Sequence, residues 1–145
     1  MKNIIVSVLA VTAVLFASCE KEELIGIDGL PSLSATFLEQ HFAGLKVSNV
    51  KKEREGLGGT EYTVYLENGV KVKFDKNGNW DEVDAPDNHA IPTSFIPENI
   101  VDYVATHYPD AGINSIDKDN NRYDVELTNG LDLEFNASGE FVRID

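Results

Sequence analysis

Residues 62–84 of this chain recur, without a gap, at residues 123–145. Of the 23 paired positions 8 are identical: Tyr62/Tyr123, Val64/Val125, Leu66/Leu127, Asn68/Asn129, Gly69/Gly130, Phe74/Phe135, Gly78/Gly139 and Asp84/Asp145. An internal repeat of this kind decides the architecture first, because each copy is one supersecondary unit whose apolar face must be buried by its surroundings.

Each block alternates apolar and polar residues, the period of a half-buried strand. Asn68-Gly69 and Asn129-Gly130 are hairpin signals, since both residue types tolerate positive φ. The reading is a strand over 61–67 (122–128), the Asn-Gly turn, a strand over 70–75 (131–136), a Gly-containing turn, and a short strand over 79–83 (140–144). A further strand precedes each block, at about 45–51 and 112–117. Ahead of that lies a helical pattern, Pro31–Phe42 with Leu33, Phe37, Leu38 and Phe42 on one face, and Pro97–Tyr108 with Ile100, Tyr103, Val104 and His107/Tyr108 on one face. Each Pro suits a first helical position. The helices align at an offset of 66 and the hairpins at 61; the five-residue difference falls in a loop over 51–60. Short loops make each four-strand set an antiparallel meander. The expected fold class is therefore α+β: two tandem repeats, 31–84 and 97–145, each one helix on a four-stranded antiparallel sheet, joined by a linker over 85–96 that Pro86, Asp87, Asn88 and Pro92 punctuate.

Alternation also sorts the faces. Tyr62, Val64, Leu66, Val70, Val72 and Phe74, with Tyr123, Val125, Leu127, Leu131, Leu133 and Phe135, form the apolar side that takes the helices. The opposite side carries Glu61, Thr63, Tyr65, Glu67, Lys71 and Lys73, then Arg122, Asp124, Glu126, Thr128, Asp132 and Glu134. Counting inward from Val83 and Ile144 places Trp80 and Phe141, with Glu82 and Arg143, on this open side. Tyr65, Trp80 and Phe141, with Lys71, Lys73 and Arg143 as charged neighbours, are the candidate binding surface, because large aromatics supply most interface energy. The alternative is structural: Trp80 and Phe141 fold over the sheet edge or meet across the seam between the copies.

The chain carries a net charge of −13, which repels nucleic acid and anionic lipid. Its first 18 residues read as a signal peptide: Lys2 begins a short basic start, and 4–17 is an apolar run too short to span a bilayer comfortably. It ends in Leu15-Phe16-Ala17-Ser18-Cys19, which resembles a bacterial lipobox, with Phe16 a departure from the usual aliphatic residue. Cys19 is the chain's single cysteine, so it is expected to be the lipid attachment site, and no internal disulfide is possible. Residues 19–30 read as a tether, and Glu20-Lys21-Glu22-Glu23 resembles the acidic export tag of Bacteroidetes surface lipoproteins.

The set Leu/Ile-Pro, helix, His-Phe/Tyr, Tyr-x-Val-x-Leu-x-Asn-Gly and Phe-Asp/Asn-x-x-Gly-x-Trp/Phe, in tandem behind a lipobox, resembles the PepSY-like, beta-lactamase-inhibitor-like lipoprotein family of the Bacteroidetes over about residues 30–145. The resemblance implies two α/β repeats with sheets side by side, and no enzymatic activity. It implies no target, since a shared fold does not transfer a partner.

The residues suggest no catalytic set, cofactor or metal site. Cys19 is in the lipobox, His41 and His107 are equivalent helix-end residues suited to capping or packing, and His89 lies in the linker. The run from Asp75 to Glu82 fails as a calcium loop, since Trp80 and Pro86 stand where Gly and Glu are needed. Gly56-Leu57-Gly58-Gly59 lacks the Lys and setting of a phosphate loop. The expected function is a non-catalytic envelope lipoprotein, held to the membrane through its N-terminal lipid, that binds a protein or peptide through the open sheet faces. Inhibition of an envelope or secreted enzyme and a ligand- or cation-binding receptor are the alternatives.

Overall fold

The computed structural model describes residues 21–55 and 59–145; the signal peptide and Cys19 lie outside the described residues, as do 56–58. The alternating segments form nine strands: β1 (Lys21–Ile25), β2 (Val47–Glu55), β3 (Gly59–Leu66), β4 (Lys71–Phe74), β5 (Trp80–Asp84), β6 (Ile113–Asp119), β7 (Arg122–Leu127), β8 (Asp132–Asn136) and β9 (Phe141–Ile144). Helix α1 spans Ser32–His41 and α2 spans Glu98–His107. The strands follow sequence order in one antiparallel sheet, β1 to β9. The sheet is thus continuous: β5 pairs with β6 through Glu82/Asp117, Val83/Ile116 and Asp84/Ser115.

One residue from every strand falls in a single row across the sheet: Ile25, Val50, Val64, Val72, Val83, Ile116, Val125, Leu133 and Ile144. This row and its same-face neighbours Phe74 and Phe135 take both helices, with Phe37 edge-on to Phe74 at 5.6 Å and Tyr103 edge-on to Phe135 at 5.4 Å. Val64, Val72, Phe74, Val83, Ile100, Ile116 and Phe135 lose all their exposure. At about 1.5–3 kcal/mol for each such side chain, this layer is the main source of stability.

Several sequence expectations change. Residues 21–25 are an edge strand and not tether: β1 pairs with β2 from Lys21/Arg54 to Ile25/Val50. Of the segment expected as a loop, 51–55 and 59–60 are strand, because β2 runs on to Glu55 and β3 starts at Gly59. Pro31 and Pro97 sit at the N-caps, one residue earlier than expected, and their carbonyls accept from Ala35 N at 3.2 Å and Val101 N at 3.3 Å. Leu33 is exposed and Ser34 buried in its place, because α1 closes on the β4–β5 turn and Ser34 Oγ donates to the Gly78 carbonyl at 3.4 Å. In the Asn-Gly turns only the glycine takes positive φ, 87° at Gly69 and 79° at Gly130. Each turn is therefore the three-residue kind with a glycine bulge, closed by Leu66 N to Val70 O and Leu127 N to Leu131 O, both 2.9 Å.

The linker is a packed strap. Ile91 and Ile96 are buried, and Ile91 N donates to Ile113 O at 2.8 Å. Asn114, itself buried, directs its amide at the carbonyls of Ala85 (3.4 Å), Pro86 (3.0 Å) and His89 (2.7 Å). Asn114 can do this because it is the extra residue of a bulge between Ile113 and Ser115, which turns its side chain out of the ladder.

Candidate functional site

With both helices on one side, the other side of the sheet is left to solvent. Its central row is also nine residues long: Leu24, Lys51, Thr63, Lys73, Glu82, Asp117, Asp124, Glu134 and Arg143. Four acids stand consecutively, from β5 to β8. The neighbouring row adds Asp84, Ser115, Glu126 and Asp132. Opposed side chains on adjacent strands have Cβ atoms only about 4.5–5.5 Å apart, and like charges so placed destabilise a sheet.

Cations at both ends offset part of this. Lys71 Nζ lies 2.9 Å from Glu82 and 3.1 Å from Asp84, and Lys73 Nζ lies 2.6 Å from Glu82. Burial alone would raise the Glu82 carboxyl, but hydrogen bonds from Lys73 and Lys71 outweigh it and hold it below the ordinary glutamate value. On β9, Arg143 meets Glu134 at 2.7 Å and Asp145 at 2.7 Å, and Arg122 meets Asp124 at 3.0 Å. One Glu134 oxygen is buried and faces Arg143 without hydrogen-bond alignment. Asp117, between Glu82 and Asp124, has no ion-pair partner among the described residues. Burial first, then the charges of Glu82 and Asp124, push its carboxyl above the ordinary aspartate value. Asp124, Glu134 and Asp145 offer carboxylate oxygens within 4.8 Å of one another. An open groove of about 240 Å³ runs here, with Asp117, Asp124, Glu126, Asp132 and Asp145 among its walls.

The structure divides the six residues expected to form a binding surface. Tyr65, Lys71, Lys73 and Arg143 are on the open face, but both lysines and the arginine are engaged in ion pairs. Trp80 and Phe141 are not there. A bulge between Glu82 and Trp80 pairs Trp80 with Phe74, and a bulge between Arg143 and Phe141 pairs Phe141 with Phe135. Each bulge reverses the alternation, so both aromatics turn to the helix side. Trp80 packs on Phe37 at 6.3 Å and Phe95 at 5.2 Å, and Lys118 lies over its ring at 4.9 Å across the β5–β6 junction. Phe141 stacks on Tyr103 at 4.6 Å. The missed signal was in the spacing. Trp80/Val83 and Phe141/Ile144 are apolar three residues apart, which two-residue alternation cannot place on one face without an extra residue.

The other candidates also resolve by contact. His41 Nδ1 is 2.8 Å from Ser94 Oγ, His107 Nδ1 is 2.9 Å from the Tyr103 carbonyl, and His89 Nδ1 is 3.0 Å from the Asp87 carbonyl. Asp75 is a turn residue: Oδ1 accepts from Asn77 N and Asn79 N, and Oδ2 from the Asn79 amide. The glycine run 56–59 falls mostly outside the described residues. The acidic row from β5 to β8 was not visible as a unit beforehand, because its members come from four strands and align only once β5 joins β6.

Comparison with curated proteins finds no match. Among solved structures, a Bacteroides thetaiotaomicron protein titled a "putative calcium-regulated periplasmic protein" is 39% identical, with TM-score 0.80, over 86% of this chain and 96% of that one. A Bacteroides vulgatus "putative periplasmic protein from DUF2874 family" is 35% identical, with TM-score 0.79 and the same two coverages. A second B. vulgatus periplasmic protein "of unknown function" is 28% identical, with TM-score 0.81, over 86% of this chain and 99% of that one. The family profile described as "Putative beta-lactamase-inhibitor-like, PepSY-like" matches residues 60–143, from β3 to β9. Sequence repeat, sheet and profile agree, and the chain belongs to the PepSY-like, beta-lactamase-inhibitor-like family.

Proposed function

We propose that the protein is a non-catalytic binding module of the cell envelope, built of two copies of a helix-on-four-strand unit, whose uncovered sheet face takes a cationic protein or peptide. The carrying observation is the row Glu82, Asp117, Asp124 and Glu134, flanked by Asp84, Glu126 and Asp132. Opposed carboxylates reduce stability, and a bound cationic segment would relieve the repulsion while gaining charge-assisted hydrogen bonds. An inhibitor of an envelope or secreted enzyme would use the same face against a basic target surface. The periplasmic neighbours support an envelope location, and a lipid on Cys19 would supply the membrane attachment and place the protein at the outer membrane.

Titration with a Lys/Arg-rich peptide by calorimetry tests this reading. Binding should weaken steeply with salt and fall at least tenfold in an Asp117→Asn/Asp124→Asn/Glu126→Gln variant. Equal affinity in variant and parent would sink it. A second reading has its own support: the Asp124/Glu134/Asp145 group and a relative titled calcium-regulated point to Ca²⁺ on the same face. A rise in melting temperature with Ca²⁺, absent from Glu134→Gln/Asp145→Asn, would select it. No rise in the parent protein would remove it.

A further inference from the structure

The two edges of the sheet differ. β1 bears Lys21, Glu22 and Glu23 in its five residues, the charged kind of edge that resists pairing. β9 is Phe141-Val142-Arg143-Ile144, with Phe141 36%, Val142 48% and Ile144 52% exposed. Its sequence counterpart β5 is not an edge. There, Glu82, Val83 and Asp84 pair with β6, and Val83 is fully buried. Residues 143–145 are the same three positions in the second copy; they pair with β8 on one side and have no strand on the other among the described residues.

We propose that β9 pairs with β9 of a second copy across a two-fold axis through Ile144, joining two sheets into one of eighteen strands. The chemistry of the strand selects this occupant. Read antiparallel about Ile144, the sequence Arg143-Ile144-Asp145 is complementary to itself: Ile144 meets Ile144 on the helix side, and Arg143 meets Asp145 of the other copy on the open side, twice. Within one copy the same two residues already attract, with Arg143 Nε 2.7 Å from Asp145 Oδ1, so pairing exchanges a local contact for a cross-strand one. The β5–β6 junction shows that three residue pairs at these positions join two sheets, and it does so with like charges, Glu82 and Asp117, face to face. The β9 pairing has opposite charges there. A second copy's β1 would not serve as well, because a β1–β9 contact is head-to-tail and propagates into a filament instead of closing.

Sedimentation velocity of the purified protein up to about 1 mM decides the matter. A reversible species of twice the monomer mass is expected. Ile144→Glu should abolish it. Because Ile144 is half exposed, this substitution leaves the fold intact, which circular dichroism checks. Arg143→Asp and Asp145→Arg should each weaken the dimer roughly tenfold, and the two together should restore it. A monomer throughout, a species that grows beyond a dimer, a dimer indifferent to Ile144→Glu, or a charge swap that fails to restore pairing would each overturn the proposal.

Discussion

β5 and β9 descend from the same position of the repeated block and end in opposite environments. β5 lies between β4 and β6, and its Trp80 is enclosed by Phe37 of α1 and Phe95 of the strap. β9 lies at the edge, and its Phe141 keeps Tyr103 and Phe135 but has no counterpart of Phe95. The two share the recurring pattern of the block, with 8 of 23 positions identical, but their surroundings differ. β5 leads into a strap that Ile91, Ile96 and Asn114 fasten down, and β6, which follows α2, pairs with β5 on its far side. The strap region has its own counterpart in 25–30, where Gly29 stands at the position of Phe95 and an apolar groove of about 310 Å³ stays open between α1 and β2. Equivalent positions of the recurring block thus become core or edge according to their neighbours.

The sharpest way to break this comparison is to truncate the two aromatics. Trp80→Ala should cost about 3 kcal/mol and Phe141→Ala about 1, since the half-buried Trp80, packed on Phe37 and Phe95, leaves a larger cavity than the exposed Phe141. Urea denaturation with an unchanged slope measures both. Equal losses would mean that β5 and β9 are equivalent after all. Asn114 offers a second contrast. Asn114→Ala should lose about 2 kcal/mol, because it strips a buried amide's hydrogen bonds from three strap carbonyls, whereas Ser48→Ala, the exposed bulge residue at the matching place in β2, should change stability by less than about 0.5 kcal/mol. A small loss at Asn114 would show that the strap needs no fastening.

The smallest effects concern the acidic row. Glu82→Gln should destabilise and Asp117→Asn stabilise at neutral pH, each by no more than about 1 kcal/mol. The pH responses should be opposite. Glu82 has a folded pKa below its unfolded value, so its contribution is complete above that unfolded value and is lost as pH falls through the folded one. Asp117 has a folded pKa above its unfolded value, so its charge weakens the fold at neutral pH and the penalty is lifted as pH falls through the raised value. Melting curves from pH 7 to 3 should show Asp117→Asn losing its advantage over the parent in acid. An advantage that persists at pH 3 would remove the assigned repulsion.

Much of this was legible beforehand because alternation and turn residues are local. The apolar face from Tyr62 to Phe74 and the helix at 98–107 follow from period and punctuation. Trp80 and Phe141 were misplaced because a single extra residue in a strand inverts every later assignment. β1 was missed because Lys21-Glu22-Glu23 has no strand-like pattern of its own; its pairing is to the backbone of an extended hairpin, which side-chain composition does not report.

The sequence by itself determined the alternating block, its recurrence along the chain and the side taken by the apolar residues from Tyr62 to Phe74 and from Tyr123 to Phe135, since these depend on spacing between near neighbours. Only the tertiary structure decided that β5 joins β6. That junction buries one copy of the block while leaving the other at the edge, and it brings acids from four strands into one row. Strand-to-strand register across a seam is set by long-range packing, which is not written in the residues of any one strand.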